Sequence, residues 1–299
     1  MSLVIVGSLA FDTIETPLDR RERIVGGSAT YCALAASFFT KPKVVGVVGR
    51  DFPKPMIGLL RSRKIDIKGV SMKAGKTFHW EGCYGVDLNQ RTTVRTDLNV
   101  FADFKPELPP SYRSADILYL ANIDPDLHGP VLAQVRKPKL VAMDTIRFWI
   151  ENKPEAIFRE LGRVDIYFAN DEEVKLLAGD NNLVRAGKKL LERGPSLIVA
   201  KKGEHGALVF GKDFVFGVPA QPCEDVVDPT GAGDSFAGGF LGYLDKVAKI
   251  SPREVRRAAV YGSVVASFAI EDFGIGRFLT LTCGEIEARF REFKRLVSF

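Results

Sequence analysis

A short run in the last third of the chain combines glycines, carboxylates and the start of a helix. The run reads Asp228, Pro229, Thr230, Gly231, Ala232, Gly233, Asp234, Ser235, Phe236. From Asp234 onward, apolar residues recur every three or four positions, which predicts a helix that begins at or just after Gly233. The first amides of a helix lack internal partners and carry the positive end of the helix dipole. Glycines leave room for a phosphate to reach these amides, so the run predicts an anion site.

The carboxylate of Asp234 would stand beside the bound anion. A carboxylate in that place repels a static phosphate, so its presence suggests a second role, which is to accept a proton from a hydroxyl group that attacks phosphorus. Alone, Gly-Ala-Gly-Asp is equally consistent with a tight turn followed by an acidic helix cap. The local sequence leaves both interpretations open.

The longer run resembles a family signature. It matches every fixed position of the second signature of the ribokinase/PfkB family of carbohydrate kinases. The resemblance implies that Asp234 is the catalytic base and that the amides of Gly231, Ala232 and Gly233 form the anion hole. It also implies ATP and Mg²⁺ as cofactors, with Thr230 among the nucleotide-binding residues.

Cation binding is implied by the same resemblance at two places. Asn170 and Glu173 match an Asn-x-x-Glu motif that the family associates with Mg²⁺, and a metal that retains its waters would be held by Glu173 through water. Taken alone, the two are ordinary first-turn residues, because acids are favoured at the positive end of the helix dipole. Asp228 resembles a position that helps to hold a monovalent cation, and activation by K⁺ is left open.

A glycine-bounded loop follows a predicted strand near residue 200. It reads Lys201, Lys202, Gly203, Glu204, His205, Gly206. Sheets of α/β proteins bind ligands at the carboxyl ends of their strands. The loop is similar to the nucleotide-proximal loop of the family, which implies nucleotide contacts by Lys201, Gly203 and Gly206. On the sequence alone, such lysines are as readily explained as solvated surface residues.

Residues near the start of the chain resemble the acceptor-binding elements of the family. An aspartate behind the first strand can accept hydrogen bonds from two hydroxyl groups of a polyol, which suits Asp12, although it could also cap a turn. Gly26 and Gly27 match the paired glycines of the first signature. A few residues later the family has asparagine where this chain has Tyr31, so specificity for ribose or fructose does not carry over.

Through most of the chain, short β-branched runs alternate with segments of helical spacing. Strands are predicted at Leu3–Val6, Lys43–Val48, Asp116–Ala121, Lys139–Met143, Val164–Phe168 and Ser196–Ala200. Helices are predicted at Ala29–Phe39, Pro53–Arg63, Leu127–Val135, Pro154–Leu161, Glu172–Leu177 and Leu183–Glu192, and capping boxes at Ser251 and Thr282 mark two later helices. The alternation predicts a doubly wound, mostly parallel α/β sheet flanked by helices, and the resemblance makes it ribokinase-like.

One region breaks this alternation. Residues 71–103 show no helical period, and their first part alternates like an antiparallel strand. Together with residues 11–25 they are predicted to form a small β-sheet lid on a single kinase domain of 299 residues. Phe78, Trp80 and Tyr84 share one face of that strand. We expect this face to pack on a second subunit or on the domain body rather than on a ligand, and the resemblance implies a homodimer through the lid.

Composition excludes several classes of protein. A chain of 299 residues with 46% hydrophobic residues can bury a sizeable core. The net charge of +5 is spread along the chain, which argues against a nucleic-acid partner. Neither a long apolar stretch nor a signal peptide is evident, which predicts a cytoplasmic protein without a membrane partner. The four scattered cysteines are predicted to be buried thiols.

The function predicted from these observations is ATP-dependent phosphorylation of a hydroxyl group on a small sugar or polyol. A nucleoside is the alternative acceptor, because nucleoside kinases share the fold and an aromatic lid face could stack on a base. A catalytically silent sugar-binding protein is a further alternative, against which the intact Asp234 argues. Neither a Walker A run nor a complete dinucleotide fingerprint occurs in the sequence.

Overall fold

The computed structural model describes residues 1–247 and 249–298. Its strands are β1 (Leu3–Val6), β2 (Ala10–Glu15), β3 (Arg20–Gly26), β4 (Lys43–Gly49), β5 (Asp66–Lys73), β6 (Phe78–Tyr84), β7 (Arg91–Asp97), β8 (Ile117–Leu120), β9 (Leu140–Asp144), β10 (Ile166–Asn170), β11 (Leu197–Lys201), β12 (Ala207–Gly211) and β13 (Phe214–Val218). Its helices are α1 (Ser28–Ala36), α2 (Lys54–Ser62), α3 (His128–Leu132), α4 (Arg147–Asn152), α5 (Pro154–Leu161), α6 (Asp171–Ala178), α7 (Leu183–Leu191), α8 (Ala232–Lys246), α9 (Pro252–Ala269), α10 (Gly276–Thr280) and α11 (Cys283–Leu296).

A nine-stranded sheet forms the body of the protein, in the order β13-β12-β11-β10-β9-β8-β1-β4-β5. Neighbouring strands from β11 to β5 run parallel, and β12 and β13 extend the sheet in antiparallel fashion. The chain order steps outward from β1 in both directions, which makes the sheet doubly wound, as predicted. The carboxyl ends of the parallel strands therefore meet along one edge, where a ligand site is expected.

Helices cover both faces of this sheet. Along β10, Phe168 packs edge-on against Phe240 of α8, and it belongs to the apolar cluster that also joins α1, α9 and α11. The next residue back, Tyr167, points to the opposite face, into the cluster that joins α5, α6 and α7. Two buried layers on one sheet explain why its central strands, such as β1, β8 and β9, are apolar throughout instead of alternating. Within the described residues, no helix is long and apolar enough to cross a membrane.

A second sheet of four strands, in the order β3-β2-β6-β7, forms the predicted lid. The boundary predicted at residue 71 differs from the structure, because Met72 and Lys73 end β5 and pair with Val48 and Gly49 of the large sheet. β5 was missed in the sequence. As an edge strand with one largely exposed end, it carries Asp, Lys and Gly among its apolar residues and lacks the run that marks the central strands.

Each predicted helix has a counterpart in the structure, although some ends differ. α5 begins at Pro154 and ends at Leu161, as predicted, whereas α3 stops at Leu132, three residues before its predicted end. α11 begins with the complete capping box of Thr282 and Glu285. At α9 only half of the box forms: Ser251 caps the Glu254 amide, while the Glu254 carboxylate binds the Tyr243 hydroxyl.

The cysteines are free thiols of differing exposure. Cys32 is buried inside α1, but Cys283, at the start of α11, is exposed. The prediction that all four are buried was therefore wrong. A cysteine in the first turn of a surface helix is not distinguished in sequence from one in a core.

Candidate active site

Three neighbouring strands deliver polar side chains to the same edge of the large sheet. Asp144, Asn170 and Lys201 are the last residues of β9, β10 and β11, which lie side by side. The Lys201 ammonium forms an ion pair of 2.6 Å with Asp144, and both side chains are largely buried. Burial alone would lower the pKa of Lys201, but the carboxylates of Asp144 and Asp234 outweigh it and hold that pKa above its usual value.

The predicted anion hole lies above this edge, at the start of α8. Gly231 caps the helix with a φ of 75°, in the left-handed region that favours glycine. A Cβ at this position would lie 2.5 Å from the ring of Tyr31. The turn therefore needs glycine for both its conformation and its packing.

The amides of this turn are not equally free. The Ala232 N–H donates to the Pro229 carbonyl at 3.2 Å, which completes the turn. In the described part of the chain, the Gly231, Gly233 and Asp234 amides have no such backbone acceptor, as expected for a helix start. The geometry favours Gly231 and Gly233 over Ala232 as donors to an anion.

Asp234 lies in the first turn of α8 and is half-buried among other charged groups. Desolvation by the surrounding protein raises its pKa to about 7, with Asp144 and Glu173 adding to the shift and Lys201 and Arg91 opposing it. A base with a pKa near neutrality is well suited to take a proton from an alcohol at physiological pH.

Asp12, on β2, is the second carboxylate of the site. It is 4% exposed, and burial together with the nearby Asp228 and Asp234 raises its pKa to about 8, against an opposing hydrogen bond from the Gly27 amide. A Cβ at Gly26 would overlap the Asp12 carboxylate, so the first of the paired glycines makes room for it. The structure thus brings Asp12, Gly26 and Gly27 together, and their acceptor-binding role stays a prediction.

Tyr31, in α1, lies between the anion hole and Asp12. It is 1% exposed, and its hydroxyl has no hydrogen-bond partner among the described residues. Burial, then the negative charges of Asp12 and Asp228, raise the pKa of Tyr31 well above its usual value. The phenol is therefore a neutral, unused donor at the predicted acceptor site.

Asp228 ties two segments together beneath the anion hole. It is fully buried, and its two oxygens accept hydrogen bonds of 2.8 Å from the Thr230 and Gly274 amides. Burial raises the pKa of Asp228 despite these bonds. The bonds fix the turn that leads into α8 against the segment before α10.

Asn170 and Glu173 form the capping box of α6. The Asn170 side chain accepts from the Glu173 amide, and the Glu173 carboxylate accepts from the Asn170 amide, both at 2.8 Å. The other carboxylate oxygen of Glu173 accepts a hydrogen bond from the Arg147 amide at 3.1 Å. Glu173 is 6% exposed, and burial followed by the charge of Asp144 raises its pKa. The pair is thus a helix cap, and the Glu173 carboxylate is close enough to the site to interact with the charges of Asp144 and Asp234.

A cleft of about 780 Å³ opens beside the anion hole. Lys201, Gly203, Gly206 and Gly233 line it, together with apolar residues such as Phe236. The turn between β6 and β7 borders the other side, and there Asn89 donates to the Glu204 carboxylate at 3.2 Å. The lid tip thus touches the glycine-bounded loop across a cleft with room for a nucleotide.

The aromatic face of β6 is directed inward, toward the body of the chain. Phe78 stacks on Phe101, with ring centroids 5.4 Å apart. Trp80 is paired in register with Asp12, and the Tyr84 hydroxyl forms a 3.0 Å hydrogen bond with the Thr230 hydroxyl. Phe78 therefore packs on the domain body, which is one of the two surroundings expected for this face. Trp80 and Tyr84 instead face the site.

Two features of the site were not found in the sequence. Tyr84 reaches the turn before α8 from a position 146 residues away, and no local pattern signals such a contact. Arg91, at the start of β7, is close enough to influence the carboxylates of Asp12, Asp234 and Glu173. Nothing in the sequence of β7 distinguishes Arg91 from the polar residues around it.

Comparison with known proteins agrees with this geometry. Residues 2–280 match the pfkB family of carbohydrate kinases. Fold and site thus define a ribokinase-like phosphotransferase. The chain belongs to the PfkB family of carbohydrate kinases and is an ATP-dependent kinase.

Individual relatives act on nucleosides. The chain is 34% identical to the cytidine kinase of Thermococcus kodakarensis, over 81% of this chain and 87% of that protein. It is 28% identical to the nucleoside kinase of Methanothermobacter thermautotrophicus, over 96% and 95% of the two chains.

Solved structures show the same fold. The nucleoside kinase of Methanocaldococcus jannaschii superposes with a TM-score of 0.79 at 22% identity, covering 98% of this chain and 99% of that one. A putative ribokinase II from E. coli, in complex with ATP and Mg²⁺, gives a TM-score of 0.81 at 19% identity, covering 97% and 99%. The predicted ribokinase-like fold is confirmed.

Proposed function

We propose that this protein transfers the γ-phosphoryl group of ATP to a hydroxyl group of a nucleoside. The observation that carries the proposal is the placement of Asp234 beside the free amides of Gly231 and Gly233. Amides that bind a transferring phosphoryl group and a carboxylate that accepts a proton are the two parts such a transfer needs.

Asp234 acts as the general base in this proposal. The acceptor oxygen forms a bond to the γ-phosphorus while the bond between that phosphorus and the β-γ bridging oxygen breaks. The hydroxyl proton passes to the Asp234 carboxylate, and the electron pair of the broken bond leaves on ADP. Lys201, paired with Asp144, places a positive charge beside Asp234 and the phosphoryl path.

The nucleotide would occupy the cleft lined by Gly203, Gly206 and Lys201, which Pro229, the neighbour of Thr230, also lines. Mg²⁺ fits this donor set, because it keeps most of its waters and needs few protein ligands. Both oxygens of Glu173 already accept amide hydrogen bonds, which suits contact through a metal-bound water rather than direct ligation. When bound, Mg²⁺ supplies positive charge against the phosphate oxygens.

The proposal includes a monovalent cation near Asp228, but with only a small contribution from the Asp228 carboxylate itself. Both Asp228 oxygens are engaged by amides, so a K⁺ ion there would be held chiefly by other groups. The dependence of the reaction rate on K⁺ is tested by comparing rates in K⁺ and in Na⁺ at equal ionic strength.

A nucleoside is a better candidate than a simple sugar. The two relatives described above are a cytidine kinase and a nucleoside kinase. Tyr31 and Trp80 add apolar and aromatic surface beside Asp12, which suits a molecule that carries a base as well as ribose hydroxyls. Sugars and polyols, the acceptors first predicted from the sequence, remain the second candidate class.

The test is an acceptor screen that follows ADP release with ATP and Mg²⁺. Cytidine, uridine, adenosine, inosine, ribose, fructose and inositol should be compared at equal concentration. We expect release with at least one nucleoside and kcat/KM values for nucleosides above those for free sugars. ADP release with sugars alone would mean that the acceptor is a sugar and not a nucleoside. If no acceptor increased ADP release, the protein would be a binding protein and not a kinase of these compounds.

A further inference from the structure

A bulge in the lid decides which side chains of β7 face the active site. β6 and β7 pair as Trp80 with Thr96 and Glu81 with Arg95, but the next pair is Gly82 with Thr93. Val94 is therefore an extra residue that the regular ladder skips. Because alternation restarts after the bulge, side chains on the two sides of it exchange faces.

The bulge turns Arg91 toward the site. Residues four apart on a regular strand share a face, which would put Arg91 beside Arg95. Arg95 instead lies opposite Glu81 and pairs with Asp97 at 2.9 Å, whereas Arg91 lies opposite Tyr84. Since the Tyr84 hydroxyl reaches Thr230, the face that holds Arg91 is the one that covers the anion hole.

Arg91 has a cationic group without an acidic partner. Within the described residues no carboxylate forms an ion pair with it, and its guanidinium lies 5.7 Å from the ring centroid of Trp80. Residues 86–89, just before it, border the nucleotide cleft. The chain thus places a guanidinium without an ion-pair partner two residues after the cleft-lining turn and near enough to act on the carboxylates of Asp12 and Asp234.

The electrostatics of the site support that position. The charge of Arg91 lowers the pKa values of Asp12, Asp234 and Glu173 against the larger effect of burial. Lys201, the other nearby cation, is already paired with Asp144. An incoming triphosphate would add further negative charge to this site, and Arg91 is free to bind it.

We propose that Arg91 is a catalytic residue that the lid contributes to bind the transferring γ-phosphoryl group. Guanidinium groups donate two parallel hydrogen bonds to phosphate oxygens and keep their charge at any relevant pH. The inference rests on the proposed phosphoryl transfer. In that step Arg91 stabilises charge on the phosphoryl oxygens, while the proton goes to Asp234 and the electron pair to ADP.

Arg91→Gln, Arg91→Lys and the control Arg95→Gln test the proposal. Arg95 lies on the same strand but on the outer face, so its variant removes a lid charge away from the site. We expect Arg91→Gln to lower kcat about 10²- to 10³-fold, as for the loss of one donor to the transition state. Arg91→Lys should recover part of this loss, and Arg95→Gln should keep wild-type kcat.

The pH profile adds a readout that a purely structural role would not move. Loss of the Arg91 charge should raise the pKa of Asp234, so the acidic limb of the kcat profile shifts to higher pH in Arg91→Gln but not in Arg95→Gln. An unchanged kcat and profile in Arg91→Gln, or equal losses in both variants, would overturn the proposal.

Nucleotide affinity tests Arg91 independently of turnover. A charge-assisted bond to the γ-phosphoryl group predicts that Arg91→Gln weakens ATP binding about tenfold and changes ADP binding less than about twofold. Calorimetry with ATP and with ADP measures both. Equal effects on the two nucleotides would contradict the γ-phosphoryl contact even if no acceptor were phosphorylated. If the wild type phosphorylates no acceptor but Arg91→Gln still loses affinity for ATP and not for ADP, the γ-phosphoryl contact stands and only the proposed transfer is contradicted.

Discussion

At the scale of single residues, the proposed chemistry rests mainly on two carboxylates. Asp234 and Asp12 have pKa values raised to about 7 and about 8, largely because the fold removes them from water. In the proposed function that cost serves the reaction, because Asp234 stands beside the amides at the start of α8 and Asp12, on β2 of the small sheet, is near Asp234. A protein selected for stability alone would replace either with a neutral group.

Asp234→Asn should make the folded protein more stable above neutrality. A carboxyl whose folded pKa is raised from 3.8 to about 7 favours folding while it is protonated, and this contribution is lost as pH rises through about 7. The amide never ionises. Thermal unfolding across pH should therefore show a gain in stability of the variant that grows between about pH 4 and pH 7 and then levels off. A constant difference across that range would mean that Asp234 is not desolvated.

Tyr31→Phe separates a binding role from a packing role. The buried Tyr31 hydroxyl has no partner among the described residues, so its removal should leave the ligand-free protein equally stable or more stable, by up to about 1 kcal/mol. If the acceptor uses this hydroxyl, its KM should rise about tenfold while the KM of ATP stays unchanged. Chemical unfolding and steady-state kinetics measure the two effects. A destabilised variant with an unchanged acceptor KM would contradict the assignment.

The residues of the anion hole could be predicted because they are contiguous in sequence. Gly231 and Asp234 lie within four positions of each other, and a helix start turns that spacing into a geometry. Arg91 could not be predicted, because its direction depends on a bulge opposite Glu81 and Gly82. Strict alternation would place it on the wrong face.

At the scale of secondary structure, the site residues lie at the ends of strands and at the starts of helices. The capping box of Asn170 and Glu173 begins α6 at the point where β10 ends, and the Arg147 amide joins the start of α4 to the same carboxylate. Glu173 thus links two helix starts to the sheet edge that carries Asp144. Its structural role is evident in the hydrogen bonds, whereas its role toward Mg²⁺ stays a prediction.

Glu173→Gln should show both roles. One carboxylate oxygen becomes an NH₂ group that faces an amide donor, so the free energy of unfolding should fall by about 1 kcal/mol, as for a lost helix cap. The Mg²⁺ concentration for half-maximal rate should rise, because a charge near the metal's water shell is lost. Glu285→Gln is the matched control, since Glu285 completes the capping box of α11 away from the site. Equal Mg²⁺ titrations for the two variants would leave Glu173 as a helix cap only.

Central strands could be predicted because burial on both faces makes them uniformly apolar. The edge strand β5 and the two bulges of the small sheet could not, because exposure and irregular pairing leave no repeating pattern. The lid was nevertheless recognised as a region without helical period. Its contacts with the body, through Tyr84 and Asn89, join residues more than 100 positions apart, so no local pattern predicts them.

At the scale of the whole molecule, the fold brings the early Asp12, on β2 of the small sheet, and the late Asp234, at the start of α8, to one site. The large sheet that supports this site is doubly wound. Strand alternation along the chain is sufficient to predict that architecture. It does not predict the acceptor, because Tyr31 and Trp80 are ordinary core or lid residues in sequence. The relevance of Trp80 comes from the register that pairs it with Asp12, and that of Tyr31 from the packing of its ring beside Gly231.

Homodimer formation through the lid stays a prediction. β3 and β7 are the edges of the small sheet, and Val94, the bulge residue of β7, is 60% exposed. Unpaired edges with exposed apolar residues favour association. Light scattering should give a dimer for the wild type and a smaller dimer fraction for Val94→Glu. A wild-type monomer at all concentrations would contradict the prediction.

The most direct test of the central claim follows the γ-phosphoryl group itself. With ATP labelled in that group and the best nucleoside from the screen, the wild type should transfer label to the nucleoside. Asp234→Asn should lower this rate about 10²- to 10⁴-fold, the usual contribution of a general base, with ATP affinity retained by calorimetry. Label transfer by Asp234→Asn at the wild-type rate, or label released by the wild type only as inorganic phosphate, would contradict the account.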